Sequence, residues 1–207
     1  MTLKYRKDYV APHYQLPLTE LEFTLDPTKT IVSAKLHFEN CDTSKPLVLN
    51  GQYMELKSIA VNGRPLTEFE YALTDETLTL NPEKPNFVLE TTVVINPAEN
   101  TRLMGLYVSD GIFCTQCEPE GFRNITYYPD HSDVPSKFIV TIHAERGKYP
   151  VLLSNGNKIK DTGDTVVYED PYNKPCYLFA LVAGDLASIE DTYTTGSGKK
   201  VDLHLYC

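Results

Sequence analysis

The stretch Cys114-Thr115-Gln116-Cys117-Glu118-Pro119-Glu120-Gly121-Phe122-Arg123 gathers the groups of this sequence best suited to chemistry. Two cysteines three apart suit a metal knuckle or a redox pair. Two carboxylates two apart suit acid–base work, and an arginine can grip either. A structural zinc site needs four ligands, usually two such cysteine pairs or one with a histidine pair. Cys41, Cys176 and Cys207 stand alone, and His13, His37, His131, His143 and His204 contain no pair at the spacing of a zinc helix. A thioredoxin-type pair opens a helix inside a βαβ pattern, and no such pattern is present. Cys114 and Cys117 are therefore read as small thiols packed in or beside a strand.

Glu118 and Glu120 could imitate a glycosidase pair, since side chains i and i+2 of an extended segment point the same way, roughly 7 Å apart, a separation inverting enzymes use. Such carboxylates normally straddle a sugar from opposite sides, and Pro119 lies between these two, so the loop reading is preferred. No Gly-x-Ser-x-Gly nucleophile signature occurs. The run "TTGSGKK" at 194–200 resembles a phosphate loop only superficially: its first glycine is misplaced and Lys200 stands where Ser or Thr belongs. It reads as a hairpin loop. His37 and His143 lie in strand patterns, on a wet face or in the core, and His131 in "PDHSD" reads as solvated loop. Arg123 can fix the shape of its segment by bidentate pairing with a carboxylate, and Glu120 is its expected partner. By composition alone, "QCEPEGFRNITYYPD" is a surface loop anchored by Phe122, Tyr127 and Tyr128.

The elements that must hold this loop are strands. "TIVSAKLHF" sets Val32, Ala34, Leu36 and Phe38 on one face and Ser33, Lys35 and His37 on the other. "FVLETTVVI" repeats the pattern with Phe87, Leu89, Thr91, Val93 and Ile95, and "ELEFTLD" with Leu21, Phe23 and Leu25. This period of two is that of a half-buried strand. Further strands are expected at 46–49, 54–61, 69–73, 77–80, 104–108, 137–145, 166–169, 177–183, 187–194 and 200–206. Asn62-Gly63 and Asn155-Gly156 suit tight hairpin turns because both residue types tolerate positive φ. No window of twelve residues carries a 3.6-residue apolar period, so helix should be scarce. One short helical turn is expected near "SDVPSKF", capped by Ser132 or Asp133. Many short strands without a linker or repeat predict a single all-β domain, a mostly antiparallel sandwich or barrel-like assembly.

The 207 residues suffice for a sizeable core. A net charge of −9, from 28 acidic against 19 basic side chains, argues against sequence-independent nucleic-acid binding. The opening "MTLKYRKDYVAPHY" has no apolar core of signal-peptide length and no later run approaches a membrane span, so a cytoplasmic location is expected. Five widely spread cysteines in such a chain are expected to be reduced thiols. The sequon Asn124-Ile125-Thr126 should then be silent.

"CTQCEPEGFRNITYYPDHSDVPSKF", "KYPVLLSNGN" and "KPCYLFALVAGDL", with "YRKDYVAPHYQL" ahead of them, make the sequence resemble the bacterial aminopeptidase N family of zinc exopeptidases. The resemblance spans essentially the whole chain, as that family's first domain. It implies a saddle-like, mostly antiparallel β-domain packed over a thermolysin-like catalytic domain. It also implies that Glu118 of the Gln-x-Glu segment binds the α-ammonium group of a peptide substrate, while Gln116 lines the pocket for the first side chain. The family's zinc helix, its further zinc-binding glutamate, its Gly-Ala-Met-Glu-Asn segment and its oxyanion-stabilising tyrosine would all follow Cys207. By this resemblance residues 1–207 form one N-terminal domain holding neither zinc nor a catalytic residue, and alone they should hydrolyse nothing. Peptides with a free N-terminus are the implied partners, with neither nucleic acid nor membrane among them. The rival readings are a free-standing β-sandwich module binding a ligand or protein, which would bind by itself, and a docking scaffold without a small-molecule site.

Overall fold

The computed structural model describes residues 5–207; the first four residues of the N-terminal segment read above lie outside it. The two strongest alternations lie at the centre of an eight-stranded sheet. Its order is Asn157–Asp161, Thr165–Lys174, Ser136–His143, Gln15–Thr24, Thr30–Glu39, Phe87–Ile95, Glu55–Val61 and Arg64–Pro65. Every neighbouring pair runs antiparallel except Gln15–Thr24 with Ser136–His143, which is parallel.

Register makes one face of this sheet apolar. Leu21 faces Ala34 on one side and Val140 on the other, Val32 faces Val93, and Leu36 faces Leu89. All seven side chains are buried. Because strand side chains alternate, the opposite face is polar. There His37 meets Glu20 at 2.6 Å, His143 meets Glu22 at 2.8 Å, and Ser33 meets Thr92 at 3.2 Å. Both strand histidines thus sit on the wet face.

Two small sheets supply the second layer. One orders Leu47–Asn50, Thr77–Leu80 and Tyr71–Leu73; the other orders Val151–Ser154, Leu181–Gly184, Ile112–Gln116 and Gly105–Ser109. Leu47, Leu49, Leu78 and Leu80 from the first, and Leu106, Phe113, Leu152 and Leu181 from the second, join the large sheet's inner face in one core. The result is an all-β, sandwich-like fold. Among the described residues there is no α-helix, only four single turns of 3₁₀ helix, and no helix long and apolar enough to cross a membrane.

A fourth element stands apart. Ser188–Thr194 and Lys200–Tyr206 pair only with each other, joined through the expected glycine-containing loop. One face of this ribbon carries Ile189, Tyr193, Val201, Leu203 and Leu205, and all but Val201 are exposed. A two-stranded ribbon is at best marginally stable in water by itself.

Several local expectations need correction. Asn62-Gly63 makes its turn as read, with φ of 51° and 76°. Asn155-Gly156 joins no hairpin. It passes the chain from the four-stranded sheet into the edge of the large one, and a Cβ at Gly156 would lie 2.3 Å from the Glu169 carbonyl oxygen. The run 177–183 is not one strand: a 3₁₀ turn at Cys176–Leu178 follows Pro175, and the strand begins at Leu181. Asn155 holds that break, its amide donating to the Leu178 carbonyl at 3.1 Å and its oxygen accepting from Ala180 N–H at 2.7 Å. Near "SDVPSKF" there is a turn but no helix, since Pro135 disfavours the helical region for Val134.

Candidate functional site

The chemically dense stretch begins on a strand that periodicity alone did not reveal. Gly105–Ser109 turns back at Asp110-Gly111, with φ of 50° and 79°, and returns as Ile112–Gln116. Phe113 is fully buried, opposite Ala183 and 5.2 Å from the Tyr149 ring. Thr115 Oγ1 accepts from Leu181 N–H at 2.8 Å, tying this strand to its neighbour. Alternation leaves Cys114 half-buried and Gln116 exposed at the strand's end.

Beyond Gln116 the chain winds tightly. Gly121 N–H donates to the Cys117 carbonyl at 2.9 Å, closing a turn in which Cys117 is buried while Glu118, Pro119 and Glu120 are exposed. The Glu118-Pro119 peptide is cis and Glu120 has φ of 60°. With Glu120 at positive φ inside the turn closed from Cys117 to Gly121, Glu118 and Glu120 are not successive side chains of an extended strand, and the geometry assumed for a glycosidase-like pair is absent. The Gln116 side-chain amide donates to the Glu118 carbonyl oxygen at 2.7 Å. Among the described residues the Glu118 carboxylate itself makes no hydrogen bond or ion pair. The winding admits no side chain at Gly121, whose Cβ would lie 2.3 Å from the Gln116 carbonyl oxygen and 2.8 Å from Cys117 Cα.

The 3₁₀ turn Phe122–Asn124 fixes the other end. Phe122 is fully buried, its ring 4.6 Å from Tyr128, 5.3 Å from Phe179 and 6.1 Å from Phe138. Arg123 braces the segment, as read, but its main partner is Asp130. Its Nε donates to Asp130 Oδ2 at 3.0 Å and its backbone N–H donates to the same oxygen at 3.1 Å. The expected partner, Glu120, is 3.5 Å away and mostly exposed, where water competes for both groups. Asp130 is 3 % exposed, and its Oδ1 accepts from the Cys176 thiol at 3.1 Å. Sequence reading passed over Asp130 as loop; the only available signal was its place directly after the aromatic anchor Tyr127-Tyr128-Pro129.

The thiols are packing groups. Cys117 and Cys176 are buried, and burial, reinforced by nearby Asp130, pushes both thiols far above the ordinary range. Burial also raises Cys114. None of the five cysteines is disulfide-bonded. No three His, Cys, Asp or Glu side chains come together as a metal site among the described residues. His131 is exposed. What remains on this turn, secured at both ends, is the Glu118 carboxylate, without a partner among the described residues, on a main chain that the Gln116 amide holds.

Comparison with known proteins identifies this architecture. Residues 10–178 match the model of the peptidase M1 N-terminal domain. The chain is 48 % identical over 205 residues to aminopeptidase N of Caulobacter vibrioides, covering 96 % of this chain and 24 % of that protein. Against aminopeptidase N of Escherichia coli (strain K12) the identity is 47 % over 212 residues, again 24 % of the relative. The chain thus spans about a quarter of the length of these curated relatives. The crystal structure of Legionella pneumophila aminopeptidase A in complex with aspartic acid superposes with a TM-score of 0.89 at 36 % identity, over 98 % of this chain and 25 % of that one. The M1 zinc metallopeptidase of Deinococcus radiodurans shares the fold, with a TM-score of 0.73 at 16 % identity, over 93 % of this chain and 47 % of that one. The chain belongs to the peptidase M1 N-terminal domain family and corresponds to that domain of the bacterial aminopeptidase N enzymes.

Proposed function

We propose that these residues are the substrate-end-recognising part of a cytoplasmic zinc aminopeptidase, which removes N-terminal amino acids from peptides. In this reading Glu118 binds the substrate's α-ammonium group and Gln116 lines the pocket for the first side chain. A chain end differs from an internal amide by its ammonium group, and a carboxylate is the acceptor that forms a charge-assisted bond with it. Anchoring that nitrogen also fixes its distance to the first peptide bond, so only that bond reaches the cutting centre. The observation that carries the reading is the clamped turn: Gln116 holds the Glu118 main chain at 2.7 Å while the Glu118 carboxylate has no partner among the described residues. A group held rigidly yet unpaired is prepared for an external cation.

The zinc and its ligands would belong to the remainder of the full-length polypeptide, which would supply the metal's Lewis acidity, and residues 1–207 alone would hydrolyse nothing. The exposed apolar face of the ribbon 188–206 lies past the end of the family match at residue 178. In the full-length protein the following domain would cover that face.

The test is Glu118→Ala in the zinc-loaded full-length enzyme. Removing one partner of a buried charge pair costs about 2–5 kcal/mol, a fall in kcat/KM of roughly 30-fold to several thousandfold towards aminoacyl substrates. Zinc content and melting temperature should be unchanged. Glu120→Ala, whose carboxylate faces Arg123, should leave chain-end recognition intact. Near-normal activity of a folded, zinc-loaded Glu118→Ala enzyme would refute the assignment.

A further inference from the structure

We infer that Asp130 is a positioning residue for chain-end recognition, acting through Arg123 on the turn that carries Glu118; this rests on the reading of Glu118 proposed above. Asp130 is almost wholly buried, and its four polar groups engage three segments, around Arg123, Cys176 and Asn50. Oδ2 accepts from the Arg123 backbone N–H and from Arg123 Nε, at 3.1 and 3.0 Å. Oδ1 accepts from the Cys176 thiol at 3.1 Å, reaching the 3₁₀ turn Cys176–Leu178 ahead of the strand Leu181–Gly184. Its carbonyl oxygen accepts from Arg123 Nη2 at 3.3 Å, and its N–H donates to Asn50 Oδ1 at 3.3 Å.

Arg123 carries this anchorage to the turn. Its carbonyl oxygen accepts from Gln52 N–H at 2.9 Å, and the next residue, Asn124, donates through its side chain to the Gly121 carbonyl at 3.2 Å. The turn 116–121 is thus fastened on one side by Gln116 and on the other by a buried carboxylate that never meets the substrate. A charge-assisted network of this kind holds geometry more firmly than neutral bonds do. A buried carboxylate also keeps its full desolvation cost if its arginine is lost, so the arrangement is retained as a unit. Misplacing a binding group by about 1 Å can cost two orders of magnitude in rate, which makes this buried pair a determinant of how well Glu118 meets its cation.

The test uses the full-length zinc-loaded enzyme and two competitive ligands, an amino-acid inhibitor and its desamino analogue. Asp130→Asn preserves shape but removes the charge that pairs with Arg123. The expected result is a rise of at least tenfold in KM for aminoacyl substrates and in Ki for the amino-acid inhibitor, with kcat changed less and the Ki of the desamino analogue within twofold of wild type. Arg123→Lys, which keeps charge but loses the fork, should shift the same quantities in the same direction. It decides the matter if Asp130→Asn does not fold. A folded variant that binds the amino-acid inhibitor within twofold of wild type, or that weakens both ligands equally, overturns the inference. Glu118→Ala run in parallel separates the two ideas. If it weakens the amino-acid inhibitor selectively while the Asp130 and Arg123 variants do not, the inference about Asp130 fails alone. If Glu118→Ala has no selective effect, the underlying reading of Glu118 fails and the inference falls with it.

Discussion

Gly121→Ala adds a single methyl group at the tightest point of the candidate site. Gly121 has φ of −87° and ψ of −21°, a backbone conformation any residue adopts, so no dihedral penalty enters and the effect is purely one of space. The new Cβ would start 2.3 Å from the Gln116 carbonyl oxygen, against an ordinary contact of 3.4 Å or more. Relieving that overlap requires a displacement of about 1 Å, and both nearest atoms, Gln116 O and Cys117 Cα, are backbone flanking Glu118. Overpacking of this sort costs about 1–3 kcal/mol of stability. A 1 Å error in a binding group costs roughly a hundredfold in rate. The full-length enzyme carrying Gly121→Ala should therefore stay folded and zinc-loaded yet lose about 10- to 100-fold in kcat/KM on an aminoacyl substrate. Gly147→Ala, where a Cβ meets nothing within 4 Å, is the matched control and should be silent. Wild-type kcat/KM for Gly121→Ala would refute the idea that the winding of this turn sets the position of Glu118.

Three further outcomes follow from the same geometry. Mass-spectrometric thiol labelling of the native protein should modify exposed Cys207 first and leave Cys117 and Cys176 untouched until unfolding, because burial keeps their thiols protonated and inaccessible. Glu70 is held at about 2 by the Thr67 N–H, then by Arg64 and the Thr67 hydroxyl. Its folded value lies below its unfolded one, so the stability it lends is complete above pH 4.5 and is lost as pH falls towards 2. Denaturation midpoints of wild type and Glu70→Gln should accordingly differ at neutral pH and converge in acid; a gap that persists at pH 2 would contradict this. Hydrogen exchange in the ribbon 188–206 should be the fastest of any strand pair in the isolated chain and should slow in the full-length protein, whereas equal rates in both would show that nothing covers its apolar face.

The central layers were legible because their physics is local. A strand with one dry and one wet face must alternate, and 30–38 and 87–95 do so without interruption. The strand Ile112–Gln116 escaped because five residues ending in Cys-Thr-Gln show too little contrast, although the Asp110-Gly111 turn ahead of it carried the hairpin signal. Asn157–Asp161 is exposed along its whole length and has no apolar pattern to read; its pairing is decided by the neighbouring strand Thr165–Lys174. The parallel pairing of Gln15–Thr24 with Ser136–His143 joins segments more than a hundred residues apart, which no window of sequence contains. The same holds for Asp130: its weight comes from Cys176, 46 residues on, and Asn50, 80 residues back. Glu118 and Gln116 stand out in the sequence only through the Gln-x-Glu resemblance, because an unpaired carboxylate looks the same in sequence whether it serves a ligand or only solvent.

The most direct measurement is a crystal structure of the intact enzyme with a bound amino acid. The result expected is an α-nitrogen about 2.7–2.9 Å from a Glu118 carboxylate oxygen, with the Gln116 side chain beside the ligand's first carbons. A ligand whose nitrogen is held by other groups while the Glu118 carboxylate points into solvent would contradict the proposal.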